Sequence, residues 1–154
     1  MDTLAQVPCE FERLYEGRLW SVMSWEQLAA FWQRINLAAK DGWYLYAVGE
    51  PPPQAPASGE GVADFVRRID ELLRREHHET YCGIVYTDDL EQPCFVKIYD
   101  PNHLGSSCGS GKHPLLPGWI MSRVPPIDLK PARPAPEGRR RWWQAVMGNQ
   151  SLSS

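Results

Sequence analysis

The 154-residue sequence has no apolar run long enough to cross a membrane. A spanning helix needs about 20 consecutive apolar residues, and charged residues or prolines interrupt the chain well before that length. The amino-terminal region also lacks the basic start and apolar segment of an export signal, because acidic residues stand at Asp2, Glu10 and Glu12. We therefore expect a soluble, cytoplasmic protein.

Cysteine is scarce, with four residues in the chain. Stable disulfides are rare in the reducing cytoplasm expected here, so we interpret the cysteines as free thiols. No two of them have the C-x₂₋₄-C spacing that is typical of structural zinc sites. The cysteine spacing therefore gives no direct indication of a metal centre.

The chain also lacks the excess of basic residues that is typical of a general nucleic-acid-binding protein. Its 16 Lys and Arg residues and 19 Asp and Glu residues give a net charge of -3. Hydrophobic residues make up 43% of the chain, and seven residues are Trp. This composition excludes a fully disordered polymer and allows a hydrophobic core.

Two segments have the apolar periodicity of helices that pack on a core. Ser24 and Gln27 form a capping box at the start of the first, and Gly42 is placed to end it. A proline-rich loop over 51–61 precedes the second helix, whose apolar residues recur at intervals of three and four over 62–73. We therefore expect two amphipathic helices.

The remaining apolar segments favour β-structure. They predict a strand over 43–48, an antiparallel hairpin from 80–86 and 94–99, and a short edge strand at 119–122. We expect a small single α+β domain over 1–126, with two helices on one face of a three- to four-stranded, mostly antiparallel sheet. Its carboxyl-terminal part is predicted to be irregular and rich in Pro and Gly. The other sheet face is then open for binding.

Histidine and cysteine are concentrated between positions 77 and 113, and imidazole and thiolate are the side chains that bind zinc and other transition metals. The candidate metal ligands are His78, Cys82, Cys94, His103 and Cys108. In the alternative interpretation, Cys82 and Cys94 are buried apolar residues of the hairpin and the histidines lie on the surface. The missing ligand spacing favours this alternative.

A glycine-rich segment at 104–114 surrounds one of these cysteines. It lacks the spacing, the hydroxyl residue and the following helix of a phosphate-binding P-loop. Its candidate anion-binding residues are Gly105, Gly109, Gly111 and Lys112. Positive charge beside Cys108 favours a reactive thiolate, which makes Cys108 a candidate nucleophile with His113 or His103 as its base. The alternative is a surface turn that contains a cysteine.

The segment 127–154 is rich in Pro and Arg and is predicted to be a mobile tail. Three arginines adjoin two tryptophans there, a combination that is enriched at binding hot spots. The candidate partner-binding residues are Trp119, Arg139, Arg140, Arg141, Trp142 and Trp143. The tryptophans could equally pack into a groove of the domain itself. The acidic body and the short apolar face favour a protein partner over nucleic acid or a membrane surface.

Two functional hypotheses follow from these patterns. The first is a non-catalytic accessory or binding protein that holds a partner protein through the open sheet face, the 101–126 loop region and the Arg/Trp tail. The second is a thiol- or metal-dependent protein centred on Cys108, either a small Cys-based enzyme or a metal-handling factor. The absence of spaced ligands and of paired catalytic acids favours the first hypothesis.

Overall fold

The computed structural model describes residues 10–103, 116–131 and 135–152. Its helices and strands in chain order are α1 (Glu10–Glu16), β1 (Trp20–Val22), α2 (Trp25–Leu37), β2 (Tyr44–Ala47), α3 (Gly59–Glu76), β3 (Val85–Thr87), β4 (Phe95–Ile98), β5 (Trp119–Ser122) and α4 (Glu137–Leu152). Single 3₁₀ turns, Ala39–Asp41 and Pro101–His103, precede β2 and follow β4. The fold is of the predicted α+β class. It has four α-helices and five strands in the described ranges, more than the sequence predicts.

The five strands form one antiparallel sheet in the order β1-β3-β4-β5-β2. The predicted hairpin is confirmed, because β3 and β4 pair with Val85 opposite Ile98. The sequence predicts that the strand at Trp119–Ser122 lies at an edge, but β5 lies between β4 and β2 and pairs with both. All four of its residues are buried. A strand that is covered on both faces suits an interior position, so the edge assignment is wrong.

Helices α2 and α3 cover one face of the sheet, as predicted. α2 begins at the expected capping box, in which the backbone N–H of Gln27 donates to Ser24 Oγ at 2.9 Å. Ile35 of α2 and Ile69 of α3 are fully shielded from solvent within the same apolar cluster. Burial of these apolar stripes is the main force that holds the two helices on the sheet.

The carboxyl-terminal region differs from the mobile tail that the sequence predicts for 127–154. Helix α4 packs along α3, and Trp143 and Val146 are buried in the core that α2 and α3 share. Phe65 of α3 meets the Trp143 ring edge to face, with ring centroids 6.0 Å apart. Trp143 and Val146 are three positions apart, so both point from one side of a helix into the core. The helix is therefore fixed by apolar packing that the Pro and Arg content conceals.

The second face of the sheet is covered over β2, β4 and β5, which corrects the open face expected from the sequence. Phe11 of α1 packs edge to face on Phe95 of β4, with ring centroids 5.5 Å apart. The backbone N–H of Leu129 donates to the Tyr46 hydroxyl at 3.0 Å, so the segment after β5 also lies on this face. Phe11, Phe95 and Tyr46 belong to a second buried cluster. Apolar residues on both faces of these strands require two covering layers.

Candidate functional site

The structure does not bring the predicted metal ligands Cys82 and Cys94 together. Cys82 precedes β3 and Cys94 precedes β4, so the antiparallel register places them at opposite ends of the hairpin. Both are free thiols, and burial raises the pKa of Cys82. His78 is exposed. Within the described ranges, no three His, Cys, Asp or Glu side chains are grouped to hold a metal ion.

Most of the predicted loop site lies outside the residues that the structure describes. The residues concerned are Cys108, His113, Gly105, Gly109, Gly111 and Lys112. His103 ends the 3₁₀ turn after β4, and its side chain is also outside the description. The hypothesis of a thiol- or metal-dependent protein therefore stays a prediction.

Two of the predicted partner-binding residues make internal contacts instead. Arg139 Nε donates to Asp100 Oδ2 at 2.8 Å, Arg139 Nη1 donates to Glu76 Oε2 at 3.1 Å, and Nη2 bonds both carboxylates. Burial acts to lower the pKa of Arg139, but the hydrogen bonds to Glu76 and Asp100 outweigh it and raise the pKa above its usual value. Trp143 is buried. Arg139 and Trp143 therefore fasten α4 to the domain, and their partner-binding role stays a prediction.

The other members of that set are divided between core and surface. Trp119 is buried and meets Trp142 edge to face, with ring centroids 5.4 Å apart. Arg140 is half exposed and lies 3.7 Å from Glu50, and Arg141 is exposed. The structure therefore supports the intramolecular interpretation of the tryptophans and leaves Arg140 and Arg141 on the surface.

Exposed apolar side chains lie at a different place, in and beside β1. Five large apolar side chains are exposed in the described part of the chain, and three of them lie here. Trp20, Met23 and Tyr81 are 52%, 53% and 50% exposed, and we call these three residues the β1 edge patch. The backbone N–H of Cys82 donates to the Met23 carbonyl at 2.7 Å, which holds the Tyr81 segment beside the end of β1.

Among the residues that the structure describes, no strand pairs with the outer side of β1. It is three residues long and pairs with β3 on its inner side, where Ser21 lies opposite Tyr86. It is the last strand of the sheet at this end, and an outermost strand can pair with an added strand through its backbone. At the opposite end, the chain itself lies beside β2, because the backbone N–H of Ala57 donates to the Trp43 carbonyl at 2.8 Å. In the described residues, the two ends of the sheet therefore differ in whether another segment of the chain bonds beside the outermost strand.

Buried groups hold the ring of Tyr81 in place. His77 is buried, and its Nε2 donates to the carbonyl of Cys82 at 2.9 Å. The His77 ring contacts Trp25 and Tyr81 edge to face, with centroid distances of 5.9 and 6.3 Å. Gly83 has a φ of 68°, and a Cβ at this position would lie 3.0 Å from the Tyr81 ring. Tyr81 is therefore preorganised, which reduces the entropy lost when a partner binds.

Acidic residues are the main charged neighbours of the β1 edge patch along the chain. Glu16, Glu26 and Glu79 are exposed and stand within four positions of a patch residue. Arg18 is the exposed basic residue in the same stretches. Acidic residues therefore outnumber basic residues among the exposed sequence neighbours of the patch.

No sequence pattern marks a residue of the β1 edge patch as a binding residue. The alternation of apolar and polar residues over 20–22 is a strand signal, but three residues are too few for a periodicity argument. The exposure of Trp20 depends on which strand becomes the edge, and this is settled by tertiary pairing. The strand order is therefore needed to identify the patch.

Comparison with protein-family models, with curated proteins and with solved structures finds no match for this chain. The function must therefore be argued from the geometry of the molecule. None of the helices in the described ranges combines the length and apolar character needed to cross a bilayer.

Proposed function

We propose that this chain is a non-catalytic binding protein that holds an extended segment of a partner protein along the outer side of β1. The observation that carries the proposal is the β1 edge patch, where exposed apolar side chains coincide with the outermost strand. Exposed apolar patches on a protein surface can mark interaction sites. Sheet edges bind extended peptides by strand addition, in which main-chain hydrogen bonds supply affinity and alternate side chains supply specificity.

The charge and geometry of the edge favour a segment in which apolar and basic residues alternate. Successive side chains of an added strand point to opposite faces of the sheet. One set lies beside Trp20, and the other set lies beside Ser21. Apolar residues in the first set can pack on Trp20, while Lys or Arg in the second set is attracted by Glu16 and Glu79.

Direct binding to synthetic peptides tests this proposal. The peptides alternate apolar residues with Lys or Arg, and matched peptides carry Glu at the basic positions. Affinity is measured by fluorescence anisotropy. We expect Trp20→Ser to weaken binding by about tenfold or more, because Trp is the residue type most enriched at interface hot spots. Leu37→Ser on α2 is the control, because Leu37 is 88% exposed but lies outside the patch. The affinity of this variant for the peptides should not change.

Amide hydrogen exchange then locates the bound segment. Strand addition should slow exchange at the backbone of Trp20–Val22 when the basic peptide is present. The proposal fails if the acidic peptides bind as tightly as the basic ones, or if Leu37→Ser reduces affinity as much as Trp20→Ser. It also fails if the protected amides lie away from β1.

A further inference from the structure

The loop between β2 and α3 contains four prolines in six residues, Pro51–Pro53 and Pro56. Proline fixes φ at about −65°, and a residue that precedes proline is restricted to extended or polyproline II backbone. Pro51 and Pro52 meet both conditions, and the described residues contain no cis peptide bond. These two residues are therefore confined to the polyproline II conformation, and with Pro53 they complete one left-handed turn of about three residues.

The surface of this turn and its backbone acceptors are available to a partner. Pro51 is exposed, and Pro52 and Pro53 are half-buried, so each residue keeps some accessible surface. Proline has no N–H donor, and within the described ranges no group donates a hydrogen bond to the carbonyls of Pro51–Pro53. The turn therefore combines accessible apolar rings with unused hydrogen-bond acceptors.

Both ends of the loop are fixed to the domain. At the start, the backbone N–H of Glu50 donates to the Ala47 carbonyl at 3.0 Å, and Arg140 lies 3.7 Å from the Glu50 carboxylate. At the end, the backbone N–H of Ala57 donates to the Trp43 carbonyl at 2.8 Å. The polyproline turn is held between these two points and has little backbone freedom of its own. Less entropy is therefore lost when a partner binds it.

The shape and charge of the loop restrict the kind of partner that fits. Pro53 and Pro56 have the P-x-x-P spacing that SH3 domains recognise, but the chain bends at Gln54 and Ala55 between them. A groove that needs two consecutive polyproline turns therefore does not match this loop. Residues 51–58 carry no charged side chain, so the contact is expected to be apolar.

We propose that the turn Pro51–Pro53 is a docking site for a protein domain with a short groove lined by aromatic side chains, of the kind found in WW domains. The proline rings pack against the aromatic side chains of the groove, and a Trp N–H or Tyr O–H donates to a proline carbonyl. The loop follows β2, and β1 lies at the opposite end of the sheet. The site is therefore separate from the β1 edge patch and adds a second contact surface.

An isolated, isotope-labelled WW domain is the probe that tests this site. The full-length protein is added to it, and the NMR signals of the WW domain are followed. We expect saturable shifts confined to the aromatic groove, including the indole N–H of the groove tryptophan. A WW domain in which this tryptophan is replaced by alanine should not respond. An isolated SH3 domain is the comparison probe and should bind more weakly, because the bend at Gln54 and Ala55 interrupts its ligand.

Variants of the loop locate the contact. Pro51→Ala combined with Pro52→Ala should weaken binding of the WW domain by about tenfold or more, because it removes two rings and frees the backbone of the turn. Pro56→Ala is the matched control, because Pro56 is exposed in the same loop but lies beyond the bend, and this variant should bind normally. Urea unfolding of each variant checks that the domain stays folded. Trp20→Ser should leave binding of the WW domain unchanged.

The outcomes that overturn this proposal are distinct from those that overturn the β1 edge function, which is tested with basic peptides. The absence of a saturable shift refutes the site, as do shifts outside the aromatic groove or an equal loss of affinity in Pro56→Ala. Tighter binding by the SH3 domain shows a ligand that extends to Pro56 and overturns the single-turn assignment. A loss of affinity of more than about twofold between about 50 and about 300 mM NaCl shows ionic binding instead of apolar docking.

Discussion

Replacing Arg139 with Met should loosen α4 from the domain. The substitution keeps an apolar side chain of similar length but removes the guanidinium group that joins α4 to Asp100 and Glu76. Arg139 stands in the first turn of its helix, where the helix dipole disfavours a positive charge. The two carboxylates therefore have to supply the interaction energy that holds it there.

The expected loss of stability follows from the burial of the two carboxylates. The side chain of Asp100 is 2% exposed and that of Glu76 is 23% exposed. Removing one partner from a buried ion pair typically costs about 3–5 kcal/mol, because the other charge remains buried. Glu76 can turn towards water, so Asp100 sets the cost, and we expect the low end of that range, about 3 kcal/mol. Native domains are stable by only about 5–15 kcal/mol, so this loss is large.

Urea unfolding followed by tryptophan fluorescence measures this loss as a change in the free energy of unfolding. Arg140→Met is the matched control, because Arg140 is half exposed and 3.7 Å from Glu50, and it should cost less than about 1 kcal/mol. Adding Asp100→Asn to Arg139→Met should restore part of the stability by removing the stranded charge. Equal, small effects of Arg139→Met and Arg140→Met would refute the reasoning.

Two further predictions concern acid stability and thiol reactivity. Hydrogen bonding from α4, which outweighs burial, lowers the pKa of Glu76 below 4.5. The stability that ionised Glu76 contributes is therefore present above its unfolded pKa and is lost as pH falls through its folded pKa. The free energy of unfolding, measured from pH 7 downwards, should fall more steeply in the unmodified protein than in Glu76→Gln. Parallel curves for the two proteins would contradict this prediction. With Cys9 and Cys108 replaced by Ser, Cys94 should react with a thiol reagent before Cys82, whose burial raises its pKa, and equal rates would exclude this difference.

Local signals in the sequence predict the long elements of the fold well. The capping box of Ser24 and Gln27 places the start of α2, and the apolar periodicity of α3 is sustained over most of its 18 residues. The position of β5 within the sheet depends on which strands meet it, and a four-residue segment does not contain that information. The same holds for α4, whose burial depends on a matching groove beside Phe65.

The contacts of the site could not be predicted, because they join residues that are far apart in sequence. Arg139 is 39 positions from Asp100 and 63 from Glu76, so the ion pairs appear only in the folded chain. Tryptophan type alone does not distinguish an anchor from core, because its ring serves equally well in both. Trp143 is buried and Trp20 is half exposed, and neither outcome follows from the residue type.

The two ends of the sheet show why the β1 edge is the strongest candidate for a binding surface. Natural proteins protect exposed strand edges with short strands, prolines or charged side chains, especially lysine. β1 is short, but Trp20 and Met23 expose apolar surface where protection would place a charge. At the β2 end, Ala57 forms an antiparallel bridge with Trp43, the residue that precedes β2. Within the described residues, short length is thus the one protective feature of this edge, which supports the proposal that a partner strand pairs with it.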